Sequence, residues 1–289
     1  MASSSVVGFQ SFGVDTPAFP VLLSVPHAGR DYPDDIFQSL RLPRSALLRL
    51  EDRYSDLLAR DAITHGYPAI IARRARAWID LNREEHDIDV EMVRGADRAQ
   101  YPTPGAKQRG VLGLIPRRLS GAGDLWKAPF QLADIERRID IYHRPYHATI
   151  SAVLEHMRDI FGVAILLDLH SMPPLKLTSV APPPQFVVGD QFGKSATSRF
   201  AEIVTERIRQ RGFGVALNHP YAGEYILRRH ANPAANIHAL QLEVDRSLYL
   251  DSALREPSAG LGAMALLIRG VADALTDEAL GSLTLTAAE

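Results

Sequence analysis

Short apolar runs that stop abruptly on polar residues recur along this chain. Phe19–Val25 runs into Pro26-His27-Ala28-Gly29, Ala77–Leu81 into Asn82-Arg83, and Val163–Leu169 into His170-Ser171, while Ala239–Val244 carries Glu243 inside it. Runs this short and this apolar read as buried strands. Between them the spacing turns helical. Leu47, Leu48, Leu50, Tyr54, Leu57, Leu58 and Ala62 predict a helix over Arg44–His65, stopped by Gly66 and followed by a strand at Ala69–Ala72. Gln131–Phe161 predicts a second helical stretch, divided or kinked at Pro145 and closed by Gly162. A third helix is expected over Lys194–Arg211 with Gly212 as its stop, then a strand at Gly214–Leu217 and a C-terminal helix over Leu261–Leu275.

Strands alternating with helices predict an α/β fold: a mainly parallel sheet, mixed at its margins, with helices on both faces. At 289 residues, 46% of them hydrophobic, the chain suits a single domain with long insertions. Two connections are long and rich in Gly or Pro, 94–129 and 172–185, and each leaves directly after a candidate site strand. Loops of that length in a compact domain are often lids or binding loops.

In an open α/β sheet, ligands bind outside the carboxyl ends of the strands, because loops and helix starts converge there over a rigid floor. The polar stops of the apolar runs are therefore candidate site residues. His27 sits in a turn built of small residues. Asp168 and His170 project to one face of their strand, so the carboxylate either orients the imidazole or simply bonds the strand end. Arg83 offers a planar fork for a carboxylate, or an internal ion pair with Asp80 or Glu84. Glu243 is costly to bury in an apolar strand unless it is paired or functional. On the predicted helix, Asp52 and Asp56 share a face at i, i+4, beside Glu51. Arg228 and Arg229 are further anion-binding candidates, or a basic helix surface.

Composition narrows the chemistry. There is no cysteine, so strong metal ligands come from His, Asp and Glu alone. The formal charge of −2 and the scatter of Lys and Arg argue against nucleic acid as a partner. The first residues lack a secretory pattern and no apolar run spans a bilayer, so a soluble, cytoplasmic protein without a membrane partner is expected. No G-x-S-x-G elbow, P-loop or dinucleotide fingerprint occurs.

The ordered set Val25-Pro26-His27-Ala28-Gly29, Glu51-Asp52, Asp56-Leu57, Ile79-Asp80-Leu81-Asn82-Arg83, Tyr142–His147, Asp168-Leu169-His170-Ser171, Tyr221-Ala222-Gly223 and Gln241-Leu242-Glu243 spans most of the chain. It resembles the N-formylglutamate amidohydrolase family, itself similar in fold and site to zinc carboxypeptidases and aspartoacylases. The resemblance implies a zinc hydrolase in which His27, Asp52 and His170 hold the metal, with Asp56 as the alternative to Asp52. Iron, cobalt or manganese would suit the same ligands. It also implies Glu243 as general base and acid, and Asn82, Arg83 and Arg228 as binders of a small anionic N-acyl amino acid. The implied reaction releases formate and L-glutamate from N-formyl-L-glutamate, a step usually set in histidine degradation. Alternatives are another N-acyl amino acid or a γ-glutamyl amide, and a metal-binding relative without catalysis. The chain departs from the family pattern at Glu224, where glycine is common, and at Leu227-Arg228, where Thr-Arg is typical.

Overall fold

The computed structural model describes residues 3–97, 99, 101, 113–176 and 182–286. An eight-stranded sheet runs through it in the order β1 (Ser3–Val6), β2 (Phe9–Phe12), β4 (Ala69–Ala72), β3 (Val21–Val25), β9 (Ala164–Met172), β12 (Ile237–Asp245), β10 (Phe186–Gly189) and β11 (Val215–Leu217). The centre, β4-β3-β9-β12, is parallel, whereas β1-β2, β2-β4 and β12-β10 pair antiparallel. A mixed sheet with a parallel core is the expected class, and the β1-β2 hairpin and β10 are additions to it. The region 94–129 holds short ladders: β5 (Val93–Arg94) with β8 (Phe130–Gln131), and β6 (Arg118–Leu119) with β7 (Gly123–Asp124). Residues 98, 100 and 102–112 of that predicted long loop, and 177–181 of the other, lie outside the described residues.

Side-chain alternation on the central strands splits the core into two layers. Val21, Leu23, Val25, Ile165, Leu167, Leu169, Leu240, Leu242 and Val244 face one layer. It is closed by α2 (Ser55–Leu58), α3 (Arg60–His65), α6 (Ser198–Arg209) and α8 (Leu261–Thr286). Leu22, Ala164, Leu166 and Ala239 face the other, under α1 (Asp34–Ser39), α4 (Leu132–Arg138), α5 (Arg144–Phe161) and α7 (Tyr225–His230). Full burial of each Leu or Val side chain stabilises the fold by about 1.5–3 kcal/mol before entropy is counted. α5 ends on Gly162 in the left-handed region at φ 76°, and Pro145, which has no amide hydrogen to donate, falls just after the π-turn that leads into it. Between α4 and α5 the helix takes a π-turn over Ile139–His143.

Two predicted elements differ. Arg44–His65 is not one helix: a 3-10 turn at Arg44–Arg49 is separated from α2 and α3 by a bend in which Tyr54 adopts φ 58°. The periodicity misleads because its two halves serve different layers. Leu47 and Leu50 bury in the α5 layer, while Leu58 and Ala62 bury in the α8 layer. The chain passes from one to the other across the carboxyl end of the sheet at Glu51–Tyr54. Ala77–Leu81 is not a strand either. Its Ala77, Ile79 and Leu81 are buried with the α5 layer, which produces a strand-like alternation, but the segment turns at Ala75–Trp78 and Asp80–Arg83 and joins no ladder.

Candidate active site

On the α5 side of the central strands, apolar side chains give way to polar ones as each strand reaches its carboxyl end. Register places Ser24, Asp168 and Gln241 in one row across β3, β9 and β12, and His170 beside Glu243 in the next. The row is wired: Ser24 Oγ donates to Asp168 Oδ1 (2.8 Å), and Gln241 Nε2 donates to Glu243 Oε1 (3.0 Å). His27 follows β3 through Pro26, and its carbonyl accepts the Asp52 amide (3.0 Å). Gly29 is required in this turn, because a Cβ there would sit 2.1 Å from the Arg74 carbonyl oxygen.

His27, Asp52 and His170 converge, buried, with one ligand atom from each within 4.8 Å of the others. Each imidazole is held from behind by a buried carboxylate. His27 Nε2–H donates to Asp80 Oδ1 (2.7 Å), and His170 Nε2–H donates to Asp168 Oδ2 (2.9 Å). That leaves the Nδ1 lone pairs to face Asp52 Oδ2, at 3.6 Å from His27 and 2.9 Å from His170, and His27 Nδ1 has no hydrogen-bond partner. Three electron-pair donors turned toward one point need a cation among them. Metal-binding histidines are commonly oriented by such carboxylates, so these residues fit a divalent metal held by His27 Nδ1, Asp52 and His170 Nδ1.

Electrostatics point the same way. Burial alone would raise the Asp52 carboxyl and lower the His170 imidazole. The nearby His170 and His27 rings instead hold Asp52 well below the usual carboxylate range, and Asp168 and Asp52 hold His170 well above the usual imidazole range. The site thus favours positive charge at its centre, whether a proton on His170 or a metal ion. Arg246 Nη2 donates to Asp52 Oδ1 (2.9 Å) and to the Ser171 carbonyl (3.0 Å), fixing the carboxylate's second oxygen. Burial pushes the Glu243 carboxyl up to about 7, against the pull of the His170 charge.

The trio and Glu243 lie in a cleft of about 490 Å³, rimmed by Phe192 and by residues 218–224. The rim loop packs tightly on the sheet: a Cβ on Gly189 would lie 2.6 Å from the Ala222 carbonyl carbon. Asn82 and Arg83 also line the cleft. Asn82 Oδ1 accepts the Ile226 amide (2.9 Å), and Arg83 Nη1 pairs with Glu224 Oε2 at 3.1 Å.

Two sequence candidates fall elsewhere. Asp56 is held by both Nη atoms of Arg30 (2.8 and 2.7 Å), away from the trio, because the bend at Tyr54 ends the shared helix face on which it was paired with Asp52. Arg228 lies half-exposed on α7, 3.5 Å from Glu224, and is not among the cleft's lining residues. Arg49, Arg76 and Arg246 line the cleft instead. Sequence reasoning passed over these three, and over Asp80 as the partner of His27. The available signals were an Asp inside the Ile79-Asp80-Leu81 run and the Asp245-Arg246 pair closing a strand.

Such a sheet, with a His–Asp–His group able to hold a metal ion beside a buried glutamate at the carboxyl ends of its strands, defines an α/β protein with a candidate metal centre. The sequence model of the N-formylglutamate amidohydrolase family matches residues 19–250, and the chain belongs to that family. Among its relatives, N-formylglutamate deformylase of Pseudomonas putida is 30% identical over 241 residues, 80% of this chain and 82% of that one. The Pseudomonas aeruginosa N-formylglutamate deformylase is 26% identical over 240 residues, with the same coverage of each chain. The crystal structure of N-formylglutamate amidohydrolase from Ralstonia eutropha JMP134 superposes with a TM-score of 0.85 at 29% identity, covering 95% of this chain and 99% of that one.

Proposed function

We propose that the protein is a metal-dependent amidohydrolase that cleaves N-formyl-L-glutamate to L-glutamate and formate. The observation that carries this reading is the His27–Asp52–His170 trio set against Glu243 on the neighbouring strand, under a cleft edged by Arg83. Zinc suits two imidazoles and a carboxylate with no sulfur ligand. A bound divalent cation would supply Lewis acidity toward the formyl oxygen and acidify a water molecule.

The side chains do the rest. Arg83 meets a substrate carboxylate with its planar fork, and Arg49 and Arg76 are the cleft cations available for the second carboxylate. Glu243, buried beside the trio, accepts a proton as water adds to the formyl carbon. It returns that proton to the amide nitrogen as the C–N bond breaks, so formate and the amine leave with atoms balanced. Asp80 and Asp168 keep both imidazoles in the tautomer that presents Nδ1.

A second reading keeps the chemistry and changes the guest. Glu224 faces Arg83 where the family pattern favours glycine, which suits an N-acyl amino acid whose side chain offers a donor to that carboxylate. Formate release from N-formyl-L-glutamate, with zinc and after chelation, tests the first reading. Metal-dependent turnover is expected. Full metal occupancy without turnover would refute the substrate and favour the second reading, to be followed on N-formyl and N-acetyl amino acids bearing neutral or donor side chains.

No helix among the described residues is long and apolar enough to cross a membrane.

A further inference from the structure

The Asn82-Arg83 segment joins no sheet ladder, so its buried carbonyls must find donors elsewhere. They find histidines. His143 Nε2–H donates to the Arg83 carbonyl (2.8 Å), and His147 Nε2–H donates to the Leu81 carbonyl (3.0 Å). The two donors are one helical turn apart, and the π-turn that ends at His143 sets their common face. Both lie in the Tyr142–His147 motif, and neither touches the cleft.

Behind them the hydrogen bonds run in one direction. Burial, with neighbouring His143 and Arg229, holds His147 well below the usual imidazole range and His230 down to about 3, so both rings carry a single proton. With the His147 proton on Nε2, its Nδ1 accepts from His230 Nε2–H (2.8 Å). His230 Nδ1 in turn accepts the Ser151 hydroxyl (3.2 Å). The relay therefore reads Ser151 to His230 to His147 to the Leu81 carbonyl, each donor fixing the next tautomer. Tyr225 stacks on His143 at 5.7 Å and meets His147 edge-on at 5.1 Å, tying α7 to the same rings.

We propose that His143 and His147, with His230 and Ser151 behind them, are positioning residues for substrate binding: they clamp the carbonyls on either side of Asn82 and so aim the Arg83 guanidinium at the substrate carboxylate. The proposal rests on the reading of Arg83 as a carboxylate anchor. It assigns the histidines no contact with substrate and no proton transfer.

The test measures KM and kcat for formate release from N-formyl-L-glutamate by zinc-loaded enzyme. The variants are Arg83→Ala, His143→Leu, His143→Gln, Ser151→Ala and the Arg83→Ala/His143→Leu pair. Loss of uniform binding shows in KM with little change in kcat. Arg83→Ala is expected to raise KM more than about tenfold, and His143→Leu about five- to tenfold with kcat within about threefold. His143→Gln restores most of the loss, since its amide supplies the missing donor. In the Arg83→Ala background the His143→Leu effect should vanish, because the group it aims is gone.

A His143→Leu effect on kcat alone, or one that persists undiminished without Arg83, overturns the proposal while leaving the anchor standing. An unchanged KM in Arg83→Ala overturns the anchor and the proposal together. Ser151→Ala removes a single oxygen from the end of the relay and keeps the claim testable if His143→Leu does not fold. A two- to threefold rise in its KM is expected, about what a weakened neutral hydrogen bond gives, and no rise would overturn the relay.

Discussion

Replacing Asp80 by asparagine probes whether the carboxylates behind the histidines make the metal site. Asp80 is fully buried and serves three partners: His27 Nε2 at 2.7 Å, Arg76 Nε at 2.8 Å and the Asn82 amide at 2.9 Å. Burial would raise its carboxyl, but Arg76 and His27 hold it well below the usual range, so its charge is integral to the arrangement. An asparagine oxygen can still meet His27, but its NH2 then faces the Arg76 donor. Removing an orienting carboxylate typically lowers metal affinity 10–100-fold, about 1.4–2.8 kcal/mol. Leaving Arg76 without its counter-charge adds a stability cost of about 3 kcal/mol, the lower end for a broken buried pair because Arg76 borders the cleft. The two effects separate in Asp80→Asn/Arg76→Met, which should regain much of the stability and none of the affinity. Zinc affinity is read by competition with a chelating dye and stability by urea unfolding of the apo-protein. A folded Asp80→Asn protein that binds zinc as tightly as the parent would refute the role of the carboxylate, and with it the Nδ1 ligation scheme.

Glu243→Gln should keep stoichiometric zinc and lose about 10²–10⁴-fold in kcat, the usual contribution of a general base; full activity with metal bound would remove Glu243 from the mechanism. Arg228→Ala should leave KM within about twofold, as expected for an exposed residue outside the cleft lining whose pairing with Glu224 is a long, solvent-screened one, and a tenfold rise in KM would place it back at the substrate. For His230 the folded pKa of about 3 lies below the ordinary 6.5, so between these values the unfolded chain binds a proton that the folded chain does not. Its contribution is intact above pH 6.5 and is lost as pH falls: from 6.5 to 5 the parent should lose ~2 kcal/mol more stability than His230→Gln. Parallel urea midpoints for the two proteins would contradict the burial of a neutral imidazole.

The central strands were legible because residues buried on both faces leave unbroken apolar runs, as at Leu22-Leu23 and Leu166-Leu167. The glycine stops at Gly66 and Gly162 were legible because both take left-handed backbone angles. The His27, Asp52 and His170 convergence followed from family resemblance joined to the strand-end rule, and the structure brings these residues together. Hydrophobic period carries no information about which layer a residue enters. The leucines before and after Glu51–Tyr54 therefore looked like one helix, and the bend that delivers Asp52 was hidden. Ala77–Leu81 shows the same blindness, since alternation reports burial on one side and not the presence of a ladder partner. β10 was missed because four residues after a proline-rich stretch form too short a signal, although its pairing with β12 is antiparallel and complete. For Arg228 the sequence does not say which side of α7 is turned to the cleft, and the structure leaves it outside the lining residues.

The register of β9 against β12 runs unbroken over nine residue pairs and holds His170 beside Glu243 near its carboxyl end. The spacing between His170 and Glu243 is thus a property of the ladder, while the shape of the opening belongs to residues 218–224, which no ladder constrains. Inheritance acts differently on the two parts. A substitution at the rim, where Glu224 lines the cleft, alters the opening without touching the paired His170 and Glu243. Anyone re-engineering the enzyme inherits the same division of labour: graft the rim and leave the ladder alone.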